Sequence, residues 1–418
     1  MRMYKALIVF FALTFLFSAC AEQTAFAKQS TSTFSNDNWP MYHYDPAHTG
    51  LTNTSAPITE PIAVWSTGPV EDFLTSPVIV DGVVYMSGYS LYAFNATTGE
   101  EIWERLYQGY VAPAVNNGVV YTEGAAFNAS NGALLWNVTI GGGVIGIPTV
   151  AVADGYFYTL GKQGSVEGLV CLNASTGSLI WNSAYACWSP SPAISNGTIY
   201  FGTGNSIMAV NAYTGSKLWE NMIPNYVSSS PAFDEGKVYY KADWGLFVCL
   251  DAGSGKLLWN YTMTVSDVYQ SSPAVAKGFV YVGSGDGKVY ALNATNGEKI
   301  WSYQTQNNEP GYGVQSSTAI ADGAVYVGSD DGYLYCLNAS TGVKLWSYQM
   351  GKVQHMRCSP AIANGRVYMG SKENFLVAFD TKLPTDENLP KLYFFYVILI
   401  IAVIVIVVFV IIRYRKKA

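Results

Sequence analysis

The sequence predicts an all-β fold in which four-stranded units repeat around a closed ring, followed by one transmembrane helix. Only 12% of the 418 residues are charged, 15% are aromatic and 40 are Gly, a composition typical of short strands joined by tight turns. One pattern of Pro, Tyr, Gly and Trp recurs through most of the chain, and residues 392–412 carry no charge. Because half of the residues are apolar, a disordered chain is excluded.

The repeat has five positions. A Pro, replaced once by Thr318, is followed eight residues later by Tyr in eight units. An Asn or Asp then opens a turn, Gly follows four residues later, and Trp four residues after that Gly. The tyrosines are Tyr85, Tyr121, Tyr156, Tyr200, Tyr239, Tyr281, Tyr326 and Tyr368. The tryptophans, which we expect to dock on the neighbouring unit, are Trp65, Trp103, Trp136, Trp181, Trp219, Trp259, Trp301 and Trp346.

Each unit is predicted to be four short strands. In the sixth unit the runs SSPAV, GFVYVGS, KVYALNA and EKIWSYQ alternate with AKG, GDG and TNG turns, and no helical pattern intervenes. Four-stranded units of about 40 residues that must stack on their neighbours are typical of the blades of a β-propeller.

The last unit predicts how the ring closes. It begins at Ser359 and reaches Asp380, but no Gly and Trp follow it before the apolar segment. Trp65 lies upstream of the first unit, so the strand around it is expected to complete the last blade and leave no open edge. We therefore predict an eight-bladed propeller within residues 28–382.

The two ends predict an extracytoplasmic location. Residues 1–27 have Arg2 and Lys5 before an apolar run and a small-residue cleavage pattern, which is typical of a secretory signal peptide. A lipoprotein signal that uses Cys20 is an alternative.

After a linker at 383–391, residues 392–412 are long enough to span a bilayer as a helix. The basic tail at 413–418 favours a cytoplasmic C-terminus, so the propeller is expected outside a single-pass cytoplasmic membrane protein.

The charge distribution argues against nucleic acid as a partner. The formal charge is −6, of which residues 1–27 contribute +1 and residues 391–418 contribute +5, so the segment between them carries −12. A strongly acidic segment repels phosphate backbones.

The turn and outer strand of each unit resemble a known family. The stretch ALNATNGEKIW at 291–301 recurs in seven units and resembles the tryptophan-docking motif of pyrroloquinoline-quinone (PQQ) type propellers. The stretch WPMYHYDPAHTG at 39–50 resembles the segment that precedes the first blade of these propellers. That family includes quinoprotein dehydrogenases, a scaffold lipoprotein of outer-membrane barrel assembly and surface proteins of unassigned role. The resemblance implies the propeller fold.

The resemblance argues against the quinone cofactor itself. Quinone-binding members use two adjacent Cys, a Trp beneath the cofactor, and carboxylate and amide ligands for Ca²⁺. The closest cysteines here, Cys171 and Cys187, are 16 residues apart. We therefore predict neither PQQ nor calcium, except under the alternative of a PQQ-dependent dehydrogenase.

The remaining residues that could take part in chemistry are predicted to have structural roles. One repeat position is Cys in three blades that are not adjacent, at Cys171, Cys249 and Cys336. Two more cysteines, Cys187 and Cys358, precede the Pro of blades four and eight, which lie across the ring from one another. Because these distances are too long for disulfides, buried free thiols are favoured.

Asp286, Asp330 and Asp331 lie in hairpin turns that favour Asp-Gly on conformational grounds rather than as a calcium site. His43, His48 and His355 lack metal-ligand spacing, and no catalytic motif is found, so we assign neither a metal site nor catalytic residues.

Nine N-x-S/T sequons occur, and five of them coincide with the repeat turn. The other four are candidate glycosylation sites: Asn53, Asn137, Asn196 and Asn260.

One pattern is not required by the repeat. An aromatic residue or His precedes the Pro by three to six residues in seven units: Phe73, Tyr110, Trp188, Tyr226, Tyr269, Tyr312 and His355. The loops that hold them should open on one face around the channel, where such rings could bind a sugar or peptide or could merely fill the channel.

Two functional hypotheses follow. The first is a membrane-anchored cell-surface propeller that acts as a non-catalytic binding or scaffold module for a protein, peptide or glycan. The second is a quinoprotein dehydrogenase of alcohols or sugars with rearranged cofactor ligands. The sequence favours the first and does not name the partner.

Overall fold

The strands form eight four-stranded antiparallel sheets, so the predicted all-β, eight-bladed propeller is confirmed. The computed structural model describes residues 38–68, 75–107, 111–140, 150–185, 191–227, 229–263, 271–306, 313–351, 356, 358–371 and 375–381. The predicted signal peptide, linker, transmembrane segment and tail lie outside these residues. Among the residues described, no helix meets the length and apolarity that a membrane span requires.

Strands occupy four positions in each blade, counted from the channel outward. The inner strands are β2 (Val78–Val80), β6 (Ala114–Asn116), β10 (Ala151–Ala153), β14 (Ala193–Ser195), β18 (Ala232–Asp234), β22 (Ala274–Ala276), β26 (Ala319–Ala321) and β30 (Ala361–Ala363). The second strands are β3 (Val83–Ser87), β7 (Val119–Thr122), β11 (Tyr156–Gln163), β15 (Thr198–Thr203), β19 (Lys237–Ala242), β23 (Phe279–Gly283), β27 (Ala324–Ser329) and β31 (Arg366–Gly370).

The two outer positions follow the same order. The third strands are β4 (Ser90–Asn95), β8 (Ala125–Asn128), β12 (Val166–Asn173), β16 (Ser206–Asn211), β20 (Leu246–Asp251), β24 (Lys288–Asn293), β28 (Tyr333–Asn338) and β32 (Leu376–Thr381). The outer strands are β5 (Glu101–Leu106), β9 (Leu134–Asn137), β13 (Leu179–Asn182), β17 (Lys217–Met222), β21 (Leu257–Thr262), β25 (Lys299–Gln304), β29 (Lys344–Gln349) and β1 (Pro61–Ser66).

The ring closes through β1. This strand precedes the first blade in the chain but pairs with β32, with Pro61 opposite Thr381 and Trp65 opposite Ala378. The inner strand β2 contacts both β6 and β30, so the inner strands form an unbroken circle. A closed ring leaves no blade with a free side.

Alternating strand direction gives the ring two faces. One face, which we call the turn face, carries the two-residue turns between inner and second strands, such as Asp81–Gly82, and the turns that follow the third strands of the first seven blades, such as 95–100. Both residues of the two-residue turns have positive φ, the geometry of the hairpin turns that follow strand twist. The opposite face, which we call the mouth face, carries the second-to-third hairpins and the loops that enter the inner strands.

The Trp of each blade bonds to the next blade. Its indole N–H donates to a carbonyl in the neighbouring turn, as in Trp219 to Ala252 at 2.8 Å. Equivalent bonds of 2.8–3.1 Å recur in all eight blades. Gly255 of the same turn has φ +68, and a Cβ there would lie 2.5 Å from the Trp219 ring, so only Gly allows this contact.

Candidate functional site: the channel and its mouth

Buried loop residues just before the inner strands accept hydrogen bonds from the second strands. Two residues before the Pro position, a hydroxyl or thiol accepts the N–H of the residue twelve positions later. The pairs are Thr75 with Ser87, Ser229 with Lys241, Ser271 with Gly283, Ser316 with Gly328, and Cys358 with Gly370. A backbone donor at the end of the second strand is thereby satisfied.

The next residue links one blade to the next. Ser272 Oγ accepts the N–H of Ser230, and the same arrangement joins the following blades. The further links are Ser317 to Ser272, Ser359 to Ser317, and Ser76 to Ser359, with N to Oγ distances of 2.9–3.1 Å. These hydroxyls form a rigid polar arc from the fifth blade through the first.

Residues 39–50 of the segment before the first blade bond to the inner strands, and the segment ends at Pro57 beside the outer strand of the seventh blade. We call residues 38–57 the channel segment. Its carbonyl oxygens accept the N–H of the middle residue of six inner strands. The acceptors and donors are Trp39 with Ile79, Pro40 with Val115, Pro46 with Ile194, Ala47 with Phe233, Thr49 with Val275, and Gly50 with Ile320. The segment therefore covers inner strand edges that a hollow channel would leave open.

Aromatic side chains of the channel segment fill the ring. The hydroxyl of Tyr42 lies 2.7 Å from Ser317 Oγ and 3.3 Å from Ser272 Oγ, and burial raises the pKa of this phenol. The rings of Tyr42 and His43 are 4.5 Å apart. His48 Nδ1 is 3.1 Å from the carbonyl oxygen of Pro231 in the fifth blade. The phenol of Tyr42 thereby contacts two hydroxyls of the serine arc.

The two histidines are held in their neutral form. Burial, reinforced by His48, lowers the pKa of His43 to about 3, and burial lowers the pKa of His48 to about 4. Neither ring nitrogen of His43 has a hydrogen-bond partner. Among the residues that the structure describes, no group of three His, Cys, Asp or Glu side chains is placed to hold a metal ion.

Asp330 ties two mouth loops together. Its buried carboxylate accepts the N–H of Met356 at 2.7 Å, the N–H of Gly313 at 3.2 Å and the amide of Gln315 at 2.7 Å. Asp331 accepts the hydroxyl of Tyr335 at 2.7 Å. Asp286 likewise accepts the hydroxyl of Tyr290, at 2.5 Å, and pairs with Lys288 at 3.4 Å. The three carboxylates that could suggest calcium therefore serve hairpins and loops.

The structure describes one of the seven predicted mouth residues. Tyr226 is 58% exposed on the mouth face between the fourth and fifth blades. The other six lie outside the described residues: Phe73, Tyr110, Trp188, Tyr269, Tyr312 and His355. Whether the seven rings surround one opening stays a prediction.

The loop that holds Tyr226 is fixed on both sides. Ile223 and Val227 donate to the hairpin at Gly204 and Asn205, and the carbonyl oxygen of Tyr226 accepts the N–H of Asp243 at 2.8 Å. Asn225 also donates its amide to the Asp243 carbonyl. Tyr226 is therefore presented on a defined backbone.

Sequence reasoning missed Trp244. It lies in the β19–β20 hairpin beside Tyr226, is 60% exposed and has φ +64. A bulky residue in the left-handed region is rare and costs on the order of 1–2 kcal/mol. The sequence did contain a signal for it: Trp244 occupies the hairpin position at which the next two blades have Asp, in the runs GDG and DDG.

The described cysteines do not form a quinone site. Cys171, Cys249 and Cys336 lie in the third strands β12, β20 and β28, and Cys358 lies in a loop; all four are free and buried. Burial raises the pKa of each thiol to about 12. Cys187 lies outside the described residues, and no two cysteines are adjacent in the chain. The residues present do not fit the cofactor arrangement that the family resemblance implies.

The four candidate glycosylation sites are all exposed. Asn137 and Asn260 lie at the surface of β9 and β21, Asn196 in a two-residue turn, and Asn53 in the channel segment. Their modification stays a prediction.

Three comparisons relate the chain to known proteins. A family model described as PQQ_2, outer membrane protein assembly factor BamB, matches residues 50–125, 122–222 and 203–387. Tetrathionate hydrolase of Acidianus ambivalens is 27% identical over 188 residues, which are 42% of this chain and 33% of that protein. BamB of Moranella endobia is 27% identical over 204 residues, or 40% of this chain and 51% of that protein. The chain thus matches a third to a half of the length of these relatives.

A solved structure shares the fold. Quinohemoprotein alcohol dehydrogenase from Comamonas testosteroni superposes with a TM-score of 0.68 at 15% identity, covering 85% of this chain and 82% of that one. At this identity the likeness concerns the fold and not the activity.

Proposed function

The chain belongs to the PQQ_2 family described as outer membrane protein assembly factor BamB, and on this premise we propose that it is a non-catalytic binding or scaffold module. Membership confirms the family resemblance seen in the repeat. The proposed module is membrane-anchored, lies outside the cell and takes up a protein, peptide or glycan through its mouth face.

The exposed pair of Tyr226 and Trp244 carries this proposal. Trp244 in the hairpin and Tyr226 in the neighbouring loop are each more than half exposed, and the backbone of Trp244 is strained. Strain of this kind persists where the surrounding structure enforces it, and it clusters at binding sites. Exposed aromatic residues at a rim are also those that dominate recognition surfaces.

The surrounding polar groups favour binding over chemistry. The hydroxyls of the serine arc and the carboxylate of Asp330 are engaged by backbone donors, so they define a shape rather than present a reactive group. The family model is that of an outer membrane protein assembly factor, which favours a binding role over chemistry. A scaffold needs a stable surface of this type and no catalytic constellation.

The cellular location is proposed from the two ends of the sequence. Residues 1–27 supply the export signal, and residues 392–412 with the basic tail supply a single membrane span. Nucleic acid is not a proposed partner because the exported segment is acidic.

A site-specific cross-linker tests the binding surface. p-Benzoylphenylalanine is placed at position 226 of the full chain in its native cells, and at position 213 in a matched control. Tyr213 is 46% exposed but lies in a turn on the opposite face. We expect a discrete cross-linked partner from position 226, which Trp244→Ala reduces at least tenfold. Equal products from both positions, or products unaffected by Trp244→Ala, would contradict the proposal.

The dehydrogenase alternative has its own assay. The purified full chain is incubated with PQQ and Ca²⁺, and dye reduction is followed with alcohols and sugars. Because relatives bear the name tetrathionate hydrolase, tetrathionate is supplied in a separate reaction without dye, and its consumption is measured. We expect no turnover above the buffer rate. Cofactor-dependent reduction would favour the quinoprotein hypothesis instead.

A further inference from the structure

We infer that the propeller stands with its turn face toward the membrane and its mouth face pointing away. The inference rests on the membrane anchorage in the proposed function and adds an orientation to it. It follows from where the described chain begins and ends on the ring.

The chain leaves the propeller at the turn face. β32 begins on the mouth side, where Leu376 pairs with Gly370 at the end of β31. It ends at Thr381, opposite Pro61. The preceding residue, Asp380, pairs at 3.1 Å with Arg366, which directly follows the two-residue turn of the eighth blade.

The chain also enters at the turn face. Asn38 Oδ1 accepts the N–H of Asp81 at 2.9 Å, and Asp81 belongs to the two-residue turn of the first blade. The described chain therefore enters and leaves the ring on the same face.

The short stretch of chain between β32 and the predicted membrane span, which we call the tether, favours the face from which it leaves the propeller. Ten residues separate Thr381 from Leu392, the first residue of the predicted span, and their fully extended reach is at most about 36 Å. The six residues of β32 cross the blade over about 20 Å. Reaching the mouth face would take more than half of that length along the blade, which favours the turn face as the side nearer the bilayer.

The turn face itself does not attract an anionic membrane. The first residues of the eight two-residue turns include four acids and one Lys. They are Asp81, Asn117, Asp154, Asn196, Glu235, Lys277, Asp322 and Asn364. The tether sets the orientation, and the surface charge holds this face at a short distance from acidic lipids.

The orientation leaves the mouth open to the exterior. Tyr226 and Trp244 then face away from the lipid, where a partner on another surface can reach them. A partner embedded in the same membrane would instead have to extend past the thickness of a blade.

Energy transfer to labelled lipids tests the orientation. The full chain, with Cys20→Ser and Cys187→Ser, is reconstituted into vesicles that contain acceptor-labelled lipid. A donor dye is attached through Thr97→Cys or Tyr89→Cys, two exposed positions just beyond opposite ends of β4 in the first blade. The four described native thiols are buried and so do not compete for the dye.

We expect roughly twofold or greater transfer from position 97 than from position 89, because about 20 Å of strand separates them. Equal or reversed transfer by protein that floats with the vesicles would overturn the orientation alone. Failure of the full chain to float with the vesicles would overturn the proposed anchorage, and the orientation with it.

Discussion

The indole nitrogen of Trp346 lies 2.8 Å from the carbonyl oxygen of Pro57, 289 residues earlier in the chain. Elsewhere the same Trp position donates to a turn that follows a third strand, as Trp301 does to Ala339. The eighth blade lacks that turn, and the end of the channel segment supplies the acceptor in its place. Tyr326 donates to the same Pro57 oxygen at 3.0 Å.

Replacing Trp346 by Phe tests this substitute contact. The indole N–H is lost and the buried ring becomes smaller, so we expect the free energy of unfolding to fall by roughly 2–3 kcal/mol, of which the hydrogen bond accounts for about 1 kcal/mol. Trp301→Phe is the matched control and should cost a similar amount, because Tyr281 shares its acceptor as well. The measurement is urea unfolding. A neutral Trp346→Phe beside a costly Trp301→Phe would show that Pro57 is not an equivalent acceptor.

Gly255→Ala tests the close approach of turn and ring. The left-handed backbone at φ +68 costs roughly 1–2 kcal/mol for any L side chain, and the clash with Trp219 adds roughly 1–3 kcal/mol. Gly236→Ala is the control, since its φ is +75 but its Cβ would meet nothing within 4 Å. Unfolding midpoints should rank wild type, then Gly236→Ala, then Gly255→Ala. Equal losses would mean that the Trp219 ring yields without cost.

Acid should destabilise the channel segment through its histidines. A His whose folded pKa lies below its unfolded value contributes stability in full above about pH 6.5 and loses it as pH falls toward the folded pKa. With folded values of about 3 and 4, His43 and His48 should each cost up to about 1.4 kcal/mol per pH unit below 6.5. Asp45, whose pKa burial raises, opposes this trend in part.

His43→Asn separates this histidine from other acid effects. Asn tolerates the φ of +57 and does not titrate, so the loss of thermal stability between pH 7 and pH 5 should shrink by about half. Thermal midpoints of the variant and wild type across this range provide the measurement. An unchanged pH dependence would contradict the neutral, buried state of His43.

Trp244→Asn should stabilise the fold while weakening binding. Asn adopts the left-handed region more readily than Trp, and the Trp side chain is largely exposed, so we expect a gain of about 1 kcal/mol. Cross-linking from position 226 should fall in the same variant. A loss of stability would show instead that the Trp244 ring packs in the hairpin.

The repeat could be predicted from the sequence because its signals are local. A Pro, a Tyr eight residues later and a turn ending in Trp identify each strand and turn, and counting them gives eight blades. The place of β1 was also predictable, since Trp65 is surplus at one end and a Trp is missing at the other.

The candidate site was less predictable because its contacts join residues far apart in the chain. Tyr226 followed from a pattern of loop aromatics, but Trp244 was missed, since its exposure and positive φ depend on how one hairpin packs beside one loop. Cys358 looked like an isolated thiol, yet its sulfur accepts the N–H of Gly370 where other blades use Ser. Neither relation has a fixed local signature.

The sequence by itself determined the blade, the number of blades and the segments expected to direct the chain to a membrane. Only the tertiary structure decided that the channel segment bonds to six inner strands, that both ends of the described chain meet the turn face, and that Tyr226 and Trp244 are both exposed on the mouth face. The physical reason is range: strands and turns follow from neighbouring residues, whereas a closed ring fixes which distant backbone donors, carbonyls and rings face one another.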